Sequence, residues 1–168
     1  MQQVKRFPGW GSAQVAVLLD FAQKEGLLIQ SALFGSDITE QSLKYEDPSL
    51  VQELVVINNL ISLCDYHPFQ MGLKVGRMAN AHTFGLMGQA LIAAPTIRDI
   101  TSLVKQHFAG DHHFLKIQPK FKGNKILTTF EVPAHLSKKE AQFILGRDMG
   151  AAISFQEGAH SRFMSIVP

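Results

Sequence analysis

The sequence predicts an α+β fold: an N-terminal helical bundle of about five to six helices followed by a β-hairpin and a C-terminal helix. Three observations predict it. Apolar residues recur at helical spacing through the first two thirds of the chain, the period drops to two across residues 114–132, and Ser or Thr followed three residues later by Gln, Asp or Glu marks several helix starts. The chain has 168 residues, 46% hydrophobic and 18% charged. That composition supplies enough apolar surface for one core and argues against wholesale disorder. Residues 1–168 therefore read as a single domain.

After Gly11, the run SAQVAVLLDFAQKEG sets Val15, Leu18, Leu19 and Ala22 on one helical face, with Ser12 as a cap and Gly26 as a stop. LLIQSALFGSDI follows as a short helix ended at Gly35. Pro48, then Ser49 with Gln52, opens a helix through about Cys64 whose Leu50, Val51, Leu54, Val55, Ile57, Leu60 and Ile61 make a broad apolar face. HPFQMGLKVGRMANAH carries another short helix, and Thr83 is placed to cap the next one, which Pro95 ends. Thr96 with Asp99 opens a helix through about Phe108.

Beyond Gly110 the pattern becomes that of strands. Leu115, Ile117 and Phe121 alternate with polar neighbours, and Ile126, Thr128, Phe130 and Val132 alternate again after a Gly123-Asn124 turn, which predicts a hairpin. Ser137 with Glu140 caps a last helix, in which Phe143, Ile144, Met149 and Ile153 share a face. A lone hairpin is marginal, and the chain stops at the strand-like RFMSIVP. Both features suggest a piece of a longer protein, or strands completed by a partner.

Several function classes fall away at this level. The apolar runs 54–63 and 86–94 are interrupted and fall short of the roughly 18 residues a membrane span needs. MQQVKRFPGWGS lacks the apolar core of a secretory signal, so no membrane is expected and the cytoplasm is the expected location. Cys64 is the only cysteine, which excludes an internal disulfide and a multi-thiolate zinc site, and its apolar helical setting reads as an inert thiol. With a net charge of +2 and basic residues scattered along the chain, nothing demands nucleic acid.

The stretch TFGLMGQALIAAPTIRDI has two glycines three apart, but neither a preceding strand nor a following Lys-Ser or Lys-Thr, so it is not a phosphate loop. Small residues at 85, 88 and 90 suggest that a helix or hydrophobic ligand approaches the backbone there, and the stretch reads as interior. Among the seven histidines, His112 and His113 beside Asp111 point to opposite faces and offer no metal site, while His82, His107 and His135 stand beside no nucleophile motif. Neither a metal, a cofactor nor an enzyme is expected. Tyr66 and His67-Pro68 read as a helix junction, Phe7, Pro8 and Trp10 as a clamp on the core or on a dimer partner, and Arg98 as exposed. Candidate ligand contacts are Phe84, Met87 and Leu91 on one helical face, with Phe114 and Lys116 from the first strand as lid and polar anchor.

The block QMGLKVGRMANAHTFGLMGQALIAAPTIRDITSLVKQHF (70–108) resembles the N-terminal effector-binding, arabinose-binding-like domain of AraC-type transcription regulators. Gly72-Leu73, Gly85-Leu86-Met87-Gly88, Ala90-Leu91, Ala94-Pro95-Thr96-Ile97 and Phe108 occupy the places of that class's structural phrases, and the layout on either side is similar. The resemblance implies a ligand-sensing and dimerisation domain: a small-molecule effector (amino acid, polyamine, sugar or fatty acid) binds between the helical layer and the hairpin, and the domain is a homodimer. It also implies that DNA is bound only through a C-terminal helix-turn-helix domain, which this sequence does not contain. A dimerisation or interaction module without a ligand is the alternative.

Overall fold

The computed structural model describes residues 10–80, 83, 85–107, 113–122 and 125–164. Among these, the chain runs α1 (Trp10–Lys24), α2 (Ile29–Leu33), a 3-10 turn (Ser42–Lys44), α3 (Leu50–Leu63), α4 (Pro68–Met78), α5 (Gly85–Ala93), α6 (Ile97–His107), β1 (Lys116–Lys122), β2 (Lys125–Glu131) and α7 (Lys138–Met164). Six helices, a hairpin and a C-terminal helix are the predicted order. The Gly123-Asn124 turn, Phe7, Pro8, His82, Phe108, Asp111 and His112 lie outside the described residues, as does the side chain of Trp10.

Local chemistry sets most of the boundaries. At α3, Gln52 N donates to Ser49 Oγ at 3.3 Å while Ser49 N donates to Gln52 Oε1 at 3.0 Å, so both halves of a capping box are made. The same exchange opens α7: Glu140 N donates to Ser137 Oγ at 3.3 Å and Ser137 N to Glu140 Oε2 at 2.6 Å. At α6, Asp99 N donates to Thr96 Oγ1 at 3.1 Å, but the return bond comes from the Thr96 hydroxyl, not its amide. Gly26 and Gly35 take φ of 74° and 71° at the ends of α1 and α2, a conformation that costs other residues strain. Thr83 stands in a local turn before α5, its hydroxyl accepting from Asn80 N at 3.2 Å and its amide donating to Asn80 Oδ1 at 3.1 Å.

The core lies among α1, α3, α4 and α7. Val15, Leu18, Phe21 and Ala22 of α1 meet Val56, Ile57 and Leu60 of α3, Met71 and Val75 of α4, and Phe143 and Ile144 of α7, with Phe114, Leu115 and Ile117 closing the hairpin side. A fully buried side chain of the size of Phe143 or Leu18 contributes about 1.5–3 kcal/mol relative to exposure.

α4 and α7 run parallel in backbone contact. A Cβ on Gly72 would meet the Phe143 carbonyl, one on Gly76 the Arg147 carbonyl, and one on Gly146 the Phe69 carbonyl; on Gly150 it would lie 2.6 Å from the Leu73 carbonyl. Two Gly-x-x-x-Gly steps therefore interlock. The expected approach of a helix or ligand to the backbone falls at 85, 88 and 90, where Gly88 is buried; the glycine seam at 72, 76, 146 and 150 lies outside that expectation.

The hairpin pairs Lys116 with Glu131 through to Lys122 with Lys125 in antiparallel register. Ile117, Pro119 and Phe121 thus share a face with Phe130, Thr128 and Ile126. Ile117 anchors that face in the core, and the guanidinium of the exposed Arg98 in α6 lies 4.8 Å from the Phe121 ring centroid. The expectation that 83–100 is interior holds only in part. Gly88 and Ala94 are buried, whereas Leu86 is 67% and Ile92 43% exposed. The helix α5 packs against α6, with Leu86 and Ile92 turned to the surface.

Candidate functional site

A charged residue placed on the apolar stripe of a helix must be buried with it. Glu53 lies three, four and seven residues before the buried Val56, Ile57 and Leu60, so α3 carries its carboxylate inward. Arg147 stands four residues after Phe143 and three before Gly150, on the face that α7 turns toward α4. The two meet across the core: Arg147 Nη1 donates to Glu53 Oε1, with side chains 8% and 3% exposed. Arg147 Nε donates to Asp148 Oδ1 at 3.0 Å, and the guanidinium carbon lies 5.7 Å from the centroid of the Phe114 ring.

The electrostatics follow from burial. Loss of solvent pushes the Glu53 carboxyl up, against the pull and the hydrogen bond of Arg147, with Asp148 nearby adding to the rise. Burial raises Asp148 likewise, again against Arg147. Arg147 stays charged, because the two acids outweigh its own desolvation. One buried cation thus serves two carboxyls, and the group accepts a proton more readily than exposed carboxylates do. Among the described residues no serine or cysteine is hydrogen-bonded to it, and the arrangement can hold a proton and a fixed charge next to an aromatic ring.

A second, shallower cluster joins the residue after α1, the α3–α4 junction and α4. Tyr66 Oη donates to Glu25 Oε2 at 2.9 Å, and Lys74 Nζ stands 3.8 Å from the Tyr66 ring centroid and 3.8 Å from Glu25 Oε1. The hydrogen bond with Tyr66 holds the Lys74 ammonium above its usual range. Burial raises the half-buried Cys64 thiol, which keeps it protonated and unreactive.

Of the residues singled out from sequence, Phe114 is buried beneath Arg147 and is the one tied to the buried centre. Met87 and Leu91 are half-buried on α5. Lys116 is exposed on the opposite face of the hairpin, with Nζ 3.7 Å from Glu131 Oε2, so it does not stand with Phe114 as an anchor. Phe84 lies outside the described residues. Among the described residues, no group of three His, Cys, Asp or Glu could hold a metal ion. A shallow, open surface depression lies between α2 and α3, lined by Gln30, Ser31, Phe34, Asn59, Ser62 and Leu63. It is remote in sequence from the expected cleft beside the hairpin.

Sequence reasoning missed Glu53, Arg147 and Asp148. The available signal was a charge at i with buried apolar residues at i+3, i+4 and i+7 in α3, and the pair Arg-Asp inside FILGRDMG in α7. Comparison of the chain with protein-family models, with curated proteins and with solved structures finds no match.

Proposed function

We propose that the chain is a small-molecule effector-sensing and dimerisation domain of an AraC-type transcription regulator, without enzymatic activity of its own, controlling an attached DNA-binding domain in the cytoplasm. The observation that carries the reading is the buried Arg147 centre beside Phe114, where the residues leading into the hairpin meet the long helix α7. The resemblance of 70–108 supports it. An effector held between the α5, α6 and hairpin layer and the core would press on Phe114, and through it on α7, whose last turns lead onward along the chain. Differential affinity for two arrangements of that layer is what would make it a switch. No helix among the described residues is long and apolar enough to cross a membrane.

A thermal-shift screen of amino acids, polyamines, sugars and fatty acids tests the proposal. A ligand at a hundred times its Kd stabilises by about 2.7 kcal/mol, which raises the Tm by about 5–10 °C in a domain of this size. Phe114→Ala should remove the shift. A broad screen without any stabilising ligand, together with full-length regulation that needs no effector, would sink the idea.

The open apolar surface of α5 favours a second reading, a dimerisation module without a ligand. GLMGQALIA has Gln89 as its only strongly polar side chain, yet Leu86 and Ile92 are exposed. A helix apolar on all sides is ordinarily covered.

A further inference from the structure

We draw no further inference here: the strongest candidate, the surface patch where the exposed Phe34 and Leu63 border the open depression between α2 and α3, carries nothing, because nothing in the structure shows what covers it.

Discussion

Glu53 and Arg147 show how the cost of burying charge decides a site. Taking two ions out of water is expensive, and the pair persists because each satisfies the other and Asp148 takes the remaining edge of the guanidinium. Removing one partner strands the rest. Glu53→Ala and Arg147→Ala are each expected to cost about 3–5 kcal/mol in chemical denaturation, with the double variant costing clearly less than the sum of the two. Additive losses would show that the contact is not coupled. The raised acids add a pH signature. Because the folded carboxyl holds its proton above the unfolded carboxyl's range, the native state binds more protons there, and stability falls as pH rises from the unfolded value through the folded one. Glu53→Gln should flatten that part of the profile, whatever its offset, and denaturation series from pH 4 to 7 would show it.

At the scale of elements, the α4–α7 seam sets how closely two parallel helices approach. Glycine is poor in helices by about 1 kcal/mol relative to alanine, so Gly→Ala in an unconstrained helix would stabilise. Here the added methyl of Gly72→Ala meets the Phe143 carbonyl, and that of Gly146→Ala the Phe69 carbonyl, neither the end of a flexible side chain. Each variant should lose about 1–3 kcal/mol or more despite the better propensity, because the helices must separate and reopen the core around Phe143. Gly26→Ala is the contrast. Its methyl finds open space, and only the left-handed backbone at φ 74° resists it, at about 1–2 kcal/mol. Melting curves separate the cases: a neutral or stabilised Gly72→Ala would mean that the seam is looser than described. The Gly-x-x-x-Gly spacing was visible in both segments, but a spacing does not name its partner.

For the whole molecule, the exposed apolar surface of α5 points to association. Leu86→Glu with Ile92→Glu should convert a concentration-dependent dimer into a monomer in sedimentation, with Tm held within about 2 °C, since both side chains are already largely out of the core. A parent chain that stays monomeric at about 50 μM, a concentration at which an interface of standard size would hold, removes the dimer from the proposal.

The sequence by itself determined what depends on neighbours along the chain. Capping boxes at Ser49 and Ser137, stops at Gly26, Gly35 and Pro95, and the change of period at the hairpin all act within four or so residues, so pattern alone reveals them. Tertiary structure alone decided which charges go inside and which helices touch. Glu53 and Arg147 are 94 positions apart, and a buried ion pair is tolerated only when both halves arrive together, so neither residue announces its burial singly.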